Sequence, residues 1–150
     1  MEIKDLGHIV FFVRDLKRSV HFYRDVLGFR LLGNEMPGAA AFVSASGRTH
    51  HELLLIDVGA DAPRPPAGRR AGFYHVGLKI GDTIEELKAA IADLEREGVQ
   101  IVGMSDHTVS KSVYLLDPDG NEIEIYVDAD PAIWRNNPSA VMTPTKPLRL

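Results

Sequence analysis

His8-Ile9-Val10-Phe11-Phe12-Val13-Arg14-Asp15 and His75-Val76-Gly77-Leu78-Lys79-Ile80-Gly81-Asp82 are two versions of one pattern. Each opens on a histidine, runs through an apolar-rich stretch of strand character and reaches an aspartate seven residues later. A helix follows each aspartate. Asp15 suits an N-cap, and Leu16, Val20, Tyr23 and Leu27 recur at helical spacing until Gly28 stops the run. Asp82 with Glu85 makes a capping-box pattern, and Ile84, Leu87, Ile91 and Leu94 line one face before Gly98. Beyond each helix lie three β-like runs: 29–33, 40–45 and 51–58, then 99–104, 112–117 and 121–127. The chain is therefore written twice as strand, helix and three strands, which predicts an α+β fold.

The repeat sets the organisation. Module one covers about 3–59 and module two about 73–128, with a C-terminal tail over 129–150 punctuated by Pro131, Pro138, Pro144 and Pro147. The Pro-, Gly- and Arg-rich stretch 60–72 reads as a linker. All of 1–150 is expected to form a single domain, since a chain of 150 residues buries roughly 70% of its unfolded surface.

Composition removes several function classes. A hydrophobic content of 45%, 25% charged residues and a formal charge of −4 describe an ordinary globular protein without the basic footprint of nucleic-acid binding. No apolar run approaches the roughly 20 residues of a membrane span, and Met1-Glu2-Ile3-Lys4-Asp5 lacks the apolar core of a signal peptide. With no cysteine, thiolate catalysis and sulfur ligation are excluded, and a cytoplasmic location is expected. Any metal must be held by nitrogen and oxygen.

Strand parity places the candidates. Alternate side chains of a strand face opposite sides, and the amphipathic helices must cover one side. Ile9, Phe11 and Val13, then Val76, Leu78 and Ile80, then Ile123, Ile125 and Val127 form the helix-facing sets. His8, His75, Glu122 and Glu124 fall on the other face, where parity predicts one cleft. Two imidazoles and a carboxylate there make the facial-triad donor set, which suits Fe(II) and leaves positions open. Around residue 51, His51, Leu53 and Leu55 alternate with Glu52, Leu54 and Ile56, and the adjacent His50 and His51 are expected to point opposite ways. Asp117-Pro118-Asp119-Gly120-Asn121 is a hairpin turn that brings Tyr114 beside Glu124.

These residues also carry a family resemblance. Leu6-Gly7-His8-Ile9-Val10-Phe11, Phe22-Tyr23, Val26-Leu27-Gly28-Phe29, Asp117-Pro118-Asp119-Gly120-Asn121 and Ile123-Glu124-Ile125 resemble the signatures of the vicinal oxygen chelate superfamily of glyoxalases, bleomycin and fosfomycin resistance proteins and extradiol dioxygenases. The resemblance covers about 3–128. It implies two paired βαβββ modules forming a cup-shaped mixed sheet around a metal held by His8, His75 and Glu124. Within the superfamily, Thr49-His50-His51-Glu52-Leu53, Asp106-His107-Thr108-Val109-Ser110 with Tyr114, and the tail from Trp134 are similar to small catechol 2,3-dioxygenases. That similarity implies Fe(II), or Mn(II) or another divalent ion, with an aromatic diol and O2 as substrates. It further implies His51 as acid–base residue, Tyr114 and His107 as hydrogen-bonding partners of substrate, and a homodimer or higher homo-oligomer.

Three other activities share the fold. A glyoxalase-like lyase or isomerase takes a fourth ligand from the first module, for which Glu52 is the candidate. Thiol transfer to fosfomycin needs a potassium-binding loop of which the sequence shows no clear sign. A drug-sequestering protein of the bleomycin-resistance type lacks the metal triad that His8, His75 and Glu124 would form.

Overall fold

The computed structural model describes residues 1–33, 36–66 and 68–150. The chain divides into two compact units, Met1–Pro66 and Ala67–Leu150, with the division inside the Pro- and Arg-rich stretch.

Unit one contains β1 (Ile9–Val13), α1 (Leu16–His21), β2 (Arg30–Gly33), β3 (Ala39–Val43) and β4 (Leu53–Asp57). Its sheet has the order β1-β4-β3-β2, with β1 parallel to β4 and the other pairs antiparallel. Asp15 caps α1 by accepting the Arg18 amide at 3.0 Å. Asp57 accepts the Leu16 amide at 3.1 Å, tying the helix start to the end of β4. Parity holds on β1: Phe11 and Val13 are buried, while Val10 and Phe12 are exposed. Leu55, the register partner of Phe11, is buried with it, as is Leu53 opposite Ile9.

The first helix departs from regular α geometry after His21. Phe22–Val26 form a π-helical turn, in which the Leu27 amide donates to the Phe22 carbonyl at 3.0 Å. The wider turn brings the consecutive rings of Phe22 and Tyr23 into the core together, where the expected spacing admitted Tyr23 alone. Gly28 then ends the run at φ +77°.

Unit two contains β5 (His75–Gly81), α2 (Ile84–Arg96), β6 (Ile101–Asp106), β7 (Ser110–Leu116), β8 (Glu122–Asp128), α3 (Ala132–Asn136), a 3-10 turn (Pro138–Met142) and β9 (Lys146–Pro147). Its sheet order, β5-β8-β7-β6-β9, repeats the order of unit one and adds one short strand. The internal repeat is thus present in topology as well as sequence, and both sheets are mixed. Leu87 and Leu94 of α2 are buried with Val113, Leu115, Ile123, Ile125 and Val127.

The cap of α2 lies one residue later than expected. Thr83 accepts the Glu86 amide, and Glu86 accepts the Thr83 amide at 2.9 Å. Asp82 is unavailable for that role because Lys79 Nζ holds its carboxylate at 2.6 Å. Between β7 and β8, Asp117 accepts the Asp119 and Asn121 amides at 2.9 and 2.8 Å. That turn sets the register in which Tyr114 pairs with Glu124. The tail returns to the sheet, pairing Pro147 and Lys146 with Ser105 and Asp106 on the edge strand β6. No helix among the described residues is long and apolar enough to cross a membrane.

Candidate functional site

In unit two the side chains of β5, β7 and β8 converge on Glu124. Its residue pairs with Tyr114 on one side and Gly77 on the other. Ile123, Ile125 and Val127 point into the core, so Glu124 points away from α2. His75 Nε2 lies 3.1 Å from Glu124 Oε2. The Tyr114 hydroxyl lies 3.3 Å from Glu124 Oε1 and 2.7 Å from His107 Nε2. With Tyr114 donating to the carboxylate, His107 donates to Tyr114 through Nε2–H. Burial and the neighbouring Glu124 charge hold the Tyr114 hydroxyl well above the ordinary phenol range, so it remains a donor.

Gly77 makes room for this arrangement. A Cβ there would stand 3.3 Å from Glu124 Oε2 and 3.4 Å from the Tyr126 ring, closer than a side chain sits comfortably. Parity did not reveal this, because the crowding comes from Glu124 and Tyr126 on the neighbouring strand. Tyr74 was also missed. The Glu122 carboxylate near its hydroxyl raises its pKa, and its ring centroid lies 4.5 Å from that of His75.

The two candidate carboxylates are placed differently. Glu124 meets His75 Nε2, whereas Glu122 Oε1 lies 3.7 Å from His75 Nδ1, beyond hydrogen-bond distance. His75 Nδ1 is buried without a hydrogen-bond partner. Among the described residues, no three His, Asp or Glu side chains are grouped at metal-ligating spacing. The His75–Glu124 pair nevertheless has the right chemistry, an imidazole nitrogen beside a carboxylate oxygen, for Fe(II), Mn(II) or Zn(II).

Unit one groups His8, His50 and His51. The His8 and His51 ring centroids are 4.4 Å apart, those of His8 and His50 6.3 Å. His50 Nδ1 and His51 Nδ1 approach to 2.6 Å, so the two do not point opposite ways as expected. Residues 51 and 52 precede β4, and the chain bends at Glu52, which releases His51 from strand alternation. Leu53 and Leu55, expected beside His51, instead belong to the core. Burial, then the neighbouring His8 and His50, lower the His51 pKa and favour its neutral form.

Glu52 is engaged elsewhere. Its carboxylate accepts the Ser44 amide at 2.6 Å and the Ser46 hydroxyl at 2.7 Å. Burial pushes its pKa up, but the hydrogen bonds from Ser44 and Ser46 prevail and leave it lowered. The repeat shows why module one offers no counterpart of Glu124. Val76 pairs with Ile123 and Gly77 with Glu124 in β5·β8, whereas Ile9 pairs with Leu53 and Val10 with Leu54 in β1·β4. The position equivalent to Glu124 is therefore Leu54, and Glu52 corresponds to Glu122.

Comparison with known proteins agrees with this architecture. The sequence profile of the Glyoxalase/Bleomycin resistance protein/Dioxygenase superfamily matches residues 5–125. A catechol-2,3-dioxygenase of Bacillus subtilis is 35% identical over 142 residues, covering 93% of this chain and 48% of that enzyme, so the chain spans about half its length. A metallothiol transferase FosB of Lysinibacillus sphaericus is 28% identical over 136 residues, with 84% of each chain covered. In fold, a glyoxalase/dioxygenase from Nostoc punctiforme superposes with a TM-score of 0.71 at 24% identity, covering 83% of this chain and 91% of that one. The two repeated modules, the mixed sheets and the match over residues 5–125 lead to one conclusion: the chain belongs to the Glyoxalase/Bleomycin resistance protein/Dioxygenase superfamily.

Proposed function

We propose that the protein is a metal-dependent extradiol dioxygenase that cleaves the ring of a catechol-type substrate with O2. The observation that carries this reading is the His107–Tyr114–Glu124 chain, in which a tyrosine held protonated links a histidine to the metal-facing carboxylate. The similarity to a catechol-2,3-dioxygenase supports it. In this reading His75 and Glu124 of module two, with His8 of module one, hold one divalent ion. Fe(II) held there would supply Lewis-acid activation of the diol and an electron path between the electron-rich ring and O2.

The remaining roles belong to side chains. His51, favoured in its neutral form, accepts a phenolic proton from the diol and returns it as the ring opens. Tyr114 donates its hydroxyl hydrogen to oxygen bearing developing negative charge, and His107 fixes the orientation of that hydroxyl. A ring carbon–carbon bond beside the diol breaks, both atoms of O2 enter the product, and a ring-opened semialdehyde acid leaves. No external reductant is needed. Glu52 stays with Ser44 and Ser46, which speaks against the four-ligand site of a glyoxalase-like lyase. A homodimeric or higher assembly and a cytoplasmic location belong to the same reading.

The test is anaerobic loading with Fe(II), then addition of catechol and air. A yellow ring-fission product carrying both atoms of labelled O2 is the expected result. Intact catechol, or an ortho-quinone without ring opening, would sink the assignment.

A further inference from the structure

The turn between β6 and β7 carries His107, and its backbone takes a conformation that its own residues do not favour. Asp106 ends β6 opposite Lys111, and the His107 amide donates to the Ser110 carbonyl at 2.9 Å, leaving 107–109 as the loop. Thr108, at the centre, has a φ of +71°, a left-handed conformation for which hairpin loops ordinarily take glycine or asparagine. A β-branched residue is an outlier there. Its buried Oγ1 has no hydrogen-bond partner, so the Thr108 side chain offers nothing polar in return.

Asp106 supplies the compensation. Its Oδ1 accepts the Thr108 amide at 2.8 Å and stands 2.9 Å from Nζ of Lys111, its partner across the strands. On its other edge β6 is pinned by the tail, where Asp106 pairs with Lys146 and Ser105 with Pro147. The turn held in this way presents the His107 imidazole, whose Nε2 meets the Tyr114 hydroxyl at 2.7 Å and stays 3.7 Å from Glu124 Oε1. Backbone strain persists only where the surroundings over-determine it, and it gathers where a functional group must be aimed. We infer that Asp106 is a positioning residue: by holding Thr108 in its left-handed conformation, it aims His107 Nε2 at the Tyr114 hydroxyl. Without that bond the loop relaxes, and Tyr114 keeps Glu124 as acceptor but loses the donor that orients its hydroxyl. The inference rests on the ring-cleavage reading above for what His107 does in turnover, whereas the aim of its ring is a property of the turn.

Two readouts on the full chain test it. In protein loaded with diamagnetic Zn(II) and isotope-labelled at histidine, the NMR signal of His107 Nε2–H reports its bond to Tyr114 without turnover. In protein loaded with Fe(II), kcat and KM for catechol in air are measured beside bound iron. The Nε2–H signal, assigned by its loss in Tyr114→Phe, is expected in the unaltered protein. Asp106→Ala is expected to lose it and to lower kcat about tenfold with KM and iron unchanged, as a small misplacement of a positioned group does. Asp106→Asn keeps an acceptor for the Thr108 amide and is expected to retain the signal and most of kcat. Thr108→Gly combined with Asp106→Ala is expected to restore both, because glycine takes a positive φ unaided. Should Asp106→Ala not fold, the double variant carries the test: the signal in folded protein supports the inference, and its absence overturns it. Signal and kcat both retained in Asp106→Ala, or Asp106→Asn as impaired as Asp106→Ala, overturn the inference and leave the dioxygenase reading standing. If the signal follows the expected pattern but no catechol ring opens, the positioning stands and the dioxygenase reading falls. No Nε2–H signal in the unaltered protein overturns the positioning outright.

Discussion

The Tyr114 hydroxyl stands 3.3 Å from Glu124 Oε1, across a strand pair whose register is fixed by the Asp117–Asn121 turn. Tyr114→Phe removes that donor and its 2.7 Å link to His107 without removing a metal donor atom. The expected outcome is a fall in kcat of about 100-fold with bound iron per chain unchanged, since one lost donor to developing charge costs on the order of 10²–10³ in rate. Steady-state kinetics paired with metal analysis checks both halves.

Glu52 and His51 are adjacent, yet their substitutions are expected to act in opposite ways. Glu52→Gln weakens the bonds to the Ser44 amide and the Ser46 hydroxyl, lowering stability by about 1–2 kcal/mol while iron is retained. His51→Ala leaves stability and iron near normal but abolishes ring cleavage. Urea denaturation, iron content and turnover of the two variants separate these roles.

Thr108 carries a backbone φ of +71°, and its Oγ1 is buried without a hydrogen-bond partner. A β-branched residue is strained there, whereas glycine is not. Thr108→Gly is therefore expected to stabilise the protein by about 1 kcal/mol, read as a higher denaturation midpoint. An unchanged or lower midpoint would show that Thr108 packing outweighs the strain.

The α2 cap predicts a pH dependence. The Thr83 hydroxyl, then the Asp82 and Thr83 amides, hold the Glu86 carboxyl below its ordinary 4.5. A carboxyl with a depressed folded pKa contributes stability that is present above the unfolded value and lost as pH falls through the folded one. Stability from this cap should thus decline as pH drops below about 4.5, and Glu86→Gln should remove that component of the decline. Denaturation midpoints of both proteins across that range provide the comparison.

Much of the fold was legible because the sequence states it twice. The His8 and His75 stretches, each followed by an aspartate, a helix and three strands, were enough to anticipate two modules of the same element order, and the structure adds that their sheets share one strand order. Parity also placed Glu124 away from α2, since alternation with buried Ile123 and Ile125 is regular. It failed at residues 50–52, where the chain bends before β4 and alternation no longer applies. It could not see that Lys79 occupies Asp82, which moves the α2 cap to Thr83. Nor could it choose between Glu122 and Glu124, which share a face. The structure distinguishes them: Gly77 lies opposite Glu124, whose carboxylate meets His75 Nε2 at 3.1 Å, while Glu122 stays 3.7 Å from His75 Nδ1. The return of Lys146 and Pro147 to β6 has no local signature, because a two-residue strand is too short to show a period.

The central claim is that His8, His75 and Glu124 hold one catalytic metal ion. It is tested most directly by iron bound per chain after anaerobic loading of the unaltered protein and of His8→Ala, His75→Ala, Glu124→Ala and Glu52→Gln. The account predicts about one tight iron per chain in the unaltered protein and in Glu52→Gln, and its loss in each of the other three. Full iron retention in Glu124→Ala, or loss of iron in Glu52→Gln, would contradict it.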